Sequence, residues 1–495
     1  MHASKVVVIG SGVAGLSIAT RLAVKGYKVD VFEKNSYPGG KLSAFENDGF
    51  HFDSGPSLFT QPQNIEELFA LANEPIGNYF AYQPVDVACK YFFENGKQVN
   101  AYTNPQLFAQ EMKEQLNENP QSILNYLTQS EKLYDNTGRI FLDHSLHKIK
   151  TWFKGPGKAL STIKFRHLFQ SLHQYNCSHF TSPEAIQLFN RFATYNGSSP
   201  YKAPAILSVI PHLELNQGTY YPKGGMISIT NALLELAKNK GVQFHFDSLV
   251  QRIIHHEGKA RGIVVNDENI LADIVISNSD VYFTYKNLLH NATKAKKILR
   301  QERSSSAVIF YWGIKKQFDQ LGLHNIFFSK DYKKEFDCIF NKKELSNDPT
   351  VYINITAKME KSQSPPGTEN WFLMVNASAD SGQDWTAIKQ QLREDVLNKL
   401  SRILGEDVQA LIQTEQTSDP IVIQEQTNSF RGSLYGSSSN SRLAAFLRHP
   451  NFTSSIKDLY FCGGSVHPGG GIPLCLKSAK IVSELIAAAN KKATH

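Results

Sequence analysis

Gly10, Gly12 and Gly15 stand in the pattern G-x-G-x-x-G, and Glu33 follows at the spacing of a ribose-binding acid. Together they point to the holding of a dinucleotide. Gly10 permits a tight turn, Gly12 lets the backbone approach a pyrophosphate, and Gly15 lets a helix pack closely on a strand. Val13 and Ala14 open that helix, whose free N–H groups would face the phosphates. The Glu33 carboxylate, with Lys34 beside it, would accept hydrogen bonds from ribose hydroxyls, and its charge disfavours a 2′-phosphate. Nothing in this block separates FAD from NAD, and a purely structural glycine turn is the competing reading.

Pro38-Gly39-Gly40-Lys41 and Gly49-Phe50-His51-Phe52-Asp53-Ser54-Gly55-Pro56 follow the acid. Near the other end, Cys462-Gly463-Gly464-Ser465-Val466-His467-Pro468-Gly469-Gly470-Gly471-Ile472-Pro473 runs directly into a helical pattern. In these segments the chain resembles the bacterial carotenoid desaturases of the phytoene desaturase type, within the two-domain FAD oxidoreductases that include the amine oxidases. The likeness covers most of the chain, and Tyr221-Pro222-Lys223-Gly224-Gly225-Met226 matches a further family segment. It implies non-covalent FAD, with Gly39, Gly40, Lys41, Gly55 and Pro56 near the cofactor. Gly463, Gly464, Gly470, Gly471, Ile472, Pro473 and Leu474 would line the flavin, and Val250 would hold the adenine end through its backbone. Physical chemistry agrees with the tail assignment. Glycines let N–H groups approach a flat ring, and a helix N-terminus favours negative charge on it. With no second G-x-G-x-x-G, direct reduction by a nicotinamide is disfavoured.

Residues 463–478 are most similar to the tail of the hydroxycarotenoid 3,4-desaturases. That resemblance implies a long polyene substrate, an already coloured 1′-hydroxylated carotene oxidised at its 3,4 bond by hydride transfer to flavin N5. Oxygen or a quinone would then take the electrons. A hydroxyl on the distal end would meet a polar partner that the sequence does not name. Phytoene desaturation, carotenoid isomerisation and an amine oxidase-type reaction on a smaller substrate remain alternatives, as does a non-enzymatic lipid-binding escort. A yellow protein that dithionite bleaches separates the enzymes from the escort.

Desaturation removes a hydride and a proton from adjacent carbons, and conjugation spreads the resulting cation, so the chemistry needs positioning more than an elaborate catalytic set. No Ser/His/Asp or Cys/His constellation and no metal-ligating set is evident. His467, inside the tail motif, is the candidate proton acceptor, and fixing the loop is its competing role. Asp53 stands between loop-capping and a cofactor contact.

Elements must position these groups. Strands over 5–9 and 28–32 around a helix over 13–25 make a βαβ unit. A second α/β block follows Tyr220, with a helix over 226–240 stopped by Gly241 and strands over 242–246, 249–255, 261–265 and 270–277. A strand over 459–462 and the helix after Pro473 form a third. The order predicts an α/β fold with a discontinuous Rossmann-type FAD-binding domain over 1–79, 218–299 and 426–495. A mixed-sheet substrate domain would occupy 80–135 and 300–425, and a helical, membrane-facing segment 136–217.

Composition sets the outer limits. The 495 residues are 41% hydrophobic and 20% charged, which excludes a disordered or fibrous chain. Against 45 acidic residues, 52 Lys and Arg leave a net charge of +7, too weak to argue for nucleic acid. The cysteines Cys89, Cys177, Cys338, Cys462 and Cys475 lack C-x-x-C spacing, so reduced thiols in a cytoplasmic setting are expected, without a zinc site. No window reaches the ~18 uninterrupted apolar residues of a membrane span. Residues 144–183 instead carry Lys148, Lys150, Lys154, Lys158, Lys164 and Arg166 with no acid, interleaved with Trp152, Phe153, Phe165 and Phe169. That mixture predicts peripheral attachment at the inner face of the cell membrane, a solvated basic surface over core aromatics being the alternative.

Overall fold

The computed structural model describes residues 4–148, 163–441 and 448–493. Lys5–Ile9 is β-branched and buried on both faces, as a central parallel strand requires. It pairs in parallel with Lys28–Phe32 on one side and Ile274–Ser277 on the other, and Gln243–His245 and Leu459–Phe461 complete a five-stranded parallel sheet. All three expected α/β blocks therefore meet in one sheet. Val6 and Val8 pack under the helices Val13–Val24, Ile227–Asn239 and Ile472–Ala493. Val7 and Ile9 face the opposite layer, a three-stranded antiparallel sheet of Val250–His256, Lys259–Val265 and Glu268–Leu271.

One expected element divides. The strand predicted over 270–277 is two strands in different sheets, Glu268–Leu271 at the antiparallel edge and Ile274–Ser277 in the parallel core. Asp273 marks the break, its carboxylate accepting from the Lys5 N–H at 2.9 Å. Apolar residues flank Asp273 on both sides, Ile270-Leu271-Ala272 before it and Ile274-Val275-Ile276 after it, so one acid within an apolar stretch does not by itself reveal the crossing.

The second layer system is a seven-stranded mixed sheet in the order Ile412–Ser418, Ser306–Ile314, Glu369–Ala377, Val351–Ile355, His324–Phe327, Val87–Phe92, Gln98–Tyr102. It draws strands from both sequence regions expected to build a substrate domain. All neighbours are antiparallel except His324–Phe327 with Val87–Phe92. Trp312, Trp371 and Leu373 pack under the helix Trp385–Leu404, while Ile309, Tyr311 and Phe372 point to the opposite side. A helical layer that includes Pro120–Asp143 and Pro183–Asn190 packs against Tyr91, Val99 and Ile326 of that sheet.

Among the described residues no helix is long and apolar enough to cross a membrane. Of the expected anchor, Lys150, Trp152, Phe153, Lys154 and Lys158 lie outside the described residues. The Lys148 ammonium sits 3.8 Å from the centroid of the Phe452 ring, so it has a partner within the protein. Lys164 and Phe169 are exposed.

Candidate active site

The parallel strand Lys5–Ile9 ends at Gly10, whose φ of +93° favours glycine. The helix that follows has Gly12 as its N-cap and no side-chain cap, so its first N–H groups are left for another acceptor. A Cβ on Gly15 would stand 2.1 Å from the Gly10 carbonyl oxygen, so the third glycine serves helix-on-strand packing. A Cβ on Gly12 would crowd just the Asn278 amide, at 2.9 Å. Glu33 is buried, its Oε2 accepting from the Ser11 N–H at 2.8 Å and the Ser11 hydroxyl at 2.9 Å, and its Oε1 from the Asn35 N–H at 3.0 Å. These bonds fix the carboxylate across the glycine turn.

Every residue singled out for the cofactor, Gly15 excepted, lines one cavity of about 840 Å³, and His467 lines it too. Its walls also include Ile309, Ile326 and Phe372 from the seven-stranded sheet and Ile206, Ile210 and Leu213 from the helical layer. One continuous space thus joins the glycine turn and the glycine-rich tail to an apolar chamber.

Three residues that sequence reasoning missed hold this junction together. Asn278 lies against Gly10, Gly12, Gly15 and Gly463, joining the first and last sequence blocks. Its signal was available, because it directly follows the buried strand Ile274–Ser277 at the carboxyl edge where parallel sheets place ligands. Tyr435 packs so closely on the tail that a Cβ on Gly470 would stand 2.8 Å from its ring. Arg448 is 3% exposed and donates from Nη1 to the carbonyls of Tyr435 at 2.6 Å and Gly464 at 3.3 Å. Its Nη2 has no partner among the described residues, and burial, aided by Arg303, pushes the guanidinium down to about 10.

Lys41 is a second cation on the cavity wall. Its ammonium donates to the Leu434 carbonyl at 2.7 Å, and burial pushes it down to about 8 against the pull of Asp280. Asp280 is itself paired with Arg303. Two desolvated cations, one with an unused N–H, favour an anionic or carbonyl-bearing occupant. A dinucleotide with a flavin ring fits that requirement, and it fits the uncapped helix start beside Gly12.

His467 and Asp53 both make structural contacts within the described fold. His467 faces the His144 carbonyl through Nε2 at 3.0 Å, and its backbone N–H donates to the His449 carbonyl at 2.9 Å. Burial holds its pKa down to about 4, so the ring is neutral and Nε2 carries the proton it donates. The geometry therefore favours fixing the tail to the end of helix Pro120–Asp143 over accepting a proton from substrate. Asp53 accepts from the N–H groups of Met226 at 2.9 Å and Ile227 at 3.1 Å, capping the helix Ile227–Asn239. Burial raises its carboxyl to about 6 in spite of those bonds.

The sequence matches the family model of flavin containing amine oxidoreductases over residues 13–487. The chain belongs to that family. It is a flavoenzyme with FAD as cofactor and an oxidoreductase. A 1-hydroxycarotenoid 3,4-desaturase from a Flavobacterium species is 50% identical over 487 residues, covering 98% of this chain and 99% of that protein. A 4,4′-diapolycopene oxygenase from a Methylomonas species is 33% identical, covering 98% of each. The fold is shared with an oxidoreductase from Methanosarcina mazei, TM-score 0.65 at 17% identity over 97% of this chain and all of the other. All five cysteines of the flavoenzyme are free thiols, as the scattered spacing implied.

Proposed function

We propose that this flavoenzyme is a carotenoid desaturase that oxidises the 3,4 bond of a hydroxylated carotene. The observation that carries the reading is the single cavity whose glycine-rich end adjoins an apolar chamber. A small polar amine has little use for walls of isoleucine, leucine and phenylalanine, whereas a polyene chain gains from each apolar contact. The relative at 50% identity carries a name with the same substrate class. In that name the hydroxyl and the oxidised bond share unprimed locants. The hydroxyl is therefore assigned to the reacting end of the chain, in place of the distal end expected from sequence.

In this reading 1–79, 218–299 and 426–495 form the Rossmann-type FAD-binding domain. The helix start at Gly12, Val13 and Ala14 takes the pyrophosphate, aided by Gly39, Gly40 and Lys41. Glu33 takes the adenosine ribose, and Lys34 and Val250 flank the adenine. Gly55, Pro56, Gly463, Gly464, Gly470, Gly471 and the helix start Ile472-Pro473-Leu474 surround the flavin ring. FAD held by these residues would supply a hydride acceptor at flavin N5, with oxygen or a quinone as the proposed onward acceptor. The protein's own work is to align the allylic carbons with the ring, exclude water, and let the polyene spread the developing positive charge.

The test is to supply the purified protein with phytoene and with a 1-hydroxycarotene separately, in liposomes, and to follow the absorption spectra. A red shift with the hydroxylated substrate alone is expected. Efficient conversion of phytoene to lycopene would return the protein to the early-pathway desaturases.

Such a substrate has to be collected from a bilayer. At ~0.8 kcal/mol per CH₂-sized unit, moving a polyene of about forty carbons through water costs tens of kcal/mol. The helical segment 136–217 is the proposed membrane face, since Leu142 and Leu146 on the cavity wall lead toward the basic stretch that begins at Lys148. Basic residues beside an anionic leaflet contribute about 1 kcal/mol each. Charge reversal at Lys150, Lys154 and Lys158 is therefore expected to release the protein from anionic liposomes in a flotation assay. Unchanged flotation would remove this segment as the anchor.

A further inference from the structure

Among the polar groups on the chamber wall that the chemistry above does not use is a set centred on His324. On the strand His324–Phe327, His324 lines the cavity and is 2% exposed. Its Nδ1 lies 2.7 Å from the Tyr352 hydroxyl and 3.2 Å from the Asn354 Nδ2. That amide nitrogen also donates to the Leu323 carbonyl at 3.0 Å, which fixes it as the N–H side of the amide. Nδ1 is therefore an acceptor, and the neutral ring carries its proton on Nε2. The Tyr352 hydroxyl donates to Nδ1 and accepts from the Ser57 hydroxyl at 2.7 Å, so a chain of bonds runs Ser57 to Tyr352 to His324 and holds the ring in place. At its end, Nε2–H is buried without a partner among the described residues.

A buried, oriented donor without an acceptor is costly in a folded protein, and at a cavity wall it marks where a ligand oxygen belongs. A hydrocarbon polyene offers no such oxygen, and an alcohol does. The location agrees as well. Ser57 directly follows Gly55 and Pro56, so the bonded chain starts beside the segment proposed to face the flavin. In a 1-hydroxycarotenoid oxidised at the 3,4 bond, the oxygen is three bonds from the reacting carbon, so its partner has to sit close to the ring.

We infer that His324, held by Tyr352 and Asn354, donates its Nε2–H to the substrate hydroxyl and is the residue that selects hydroxylated over plain carotenes. This rests on the desaturase reading above, and the experiment separates the two. Initial rates are measured in liposomes for a 1-hydroxycarotene, its methyl ether and the parent carotene without oxygen, using wild type, His324→Phe and His324→Gln, all with their flavin content recorded. The wild type is expected to favour the alcohol over the parent by about 10- to 100-fold in kcat/KM, the value of one buried hydrogen bond. His324→Phe should bring that ratio close to one, chiefly through KM of the alcohol. His324→Gln, which keeps an N–H donor, should restore part of the preference. The methyl ether should be taken by wild type better than the parent, because the site supplies the proton and needs just an oxygen. That arm requires no variant, so poor folding of either substitution leaves the inference testable. A preference that survives His324→Phe, or an ether no better than the parent, overturns the assignment while leaving the desaturase reading intact. A wild type that desaturates none of the three carotenes sinks the desaturase reading instead.

Discussion

Gly12→Val is expected to yield a folded protein that retains less than about a tenth of the wild-type flavin, a loss on the order of 100-fold in affinity. The structure separates binding from folding at this position. A Cβ on Gly12 displaces just the end of the Asn278 side chain, whereas one on Gly15 would drive into the Gly10 backbone carbonyl at 2.1 Å. Valine at position 12 would fill the space over the uncapped helix start, where the pyrophosphate has to approach N–H groups directly. The measurement is the ratio of visible flavin absorbance to protein, beside a circular dichroism spectrum and a melting curve. Gly15→Ala makes the contrast, since it should lose folded protein together with flavin. Full flavin occupancy in a folded Gly12→Val would mean that the pyrophosphate is held elsewhere.

Glu214→Gln is expected to destabilise the protein by about 3–5 kcal/mol, the cost of leaving a buried charge uncompensated. Arg191 and Glu214 are both buried, and Arg191 Nη2 donates to Glu214 Oε1 at 2.6 Å. Tyr195 donates to the other oxygen of the same carboxylate, and the guanidinium also lies over the Phe192 ring, 4.5 Å from its centroid. Burial opposes the charge on Arg191, and Glu214 together with Tyr195, Tyr91 and Cys89 outweighs it, holding the guanidinium well above its ordinary value. Neutral glutamine keeps the shape and removes the counter-charge. Arg191→Met combined with Glu214→Leu removes both charges and should recover most of the loss. Thermal melts of the flavin-loaded variants measure both effects. A double variant as unstable as the single one would show that geometry, and not charge compensation, is what the pair provides.

Local patterns carried far into this protein. The glycine turn, the acid after the second strand and the apolar runs are readable because each depends on neighbours a few residues away. A strand-to-helix turn needs glycine wherever it occurs, and a buried parallel strand needs β-branched residues. The tail motif was legible for the same reason, being one continuous stretch of backbone that leads into a helix. The division of 270–277 was not, since a single acid, Asp273, between two short apolar runs does not say that the strands on either side enter different sheets.

What tertiary structure decided is the identity of partners far apart in sequence. Asn278 meets Gly463, Arg448 spans Tyr435 and Gly464, and His467 reaches back to His144. Tyr435, Arg448 and His144 are unremarkable in type and spacing. Their roles arise when a buried N–H or charge has to find an acceptor after the chain has closed, and that need has no periodicity to read. His467 illustrates the limit: its place in a flavin-facing motif suggested proton transfer, and one carbonyl from a distant helix gives it a positional task. His324 shows the reverse, a histidine with no motif around it, made a candidate for recognition because three neighbours settle which nitrogen carries the proton and leave that proton, on a residue of the cavity wall, without a partner among the described residues.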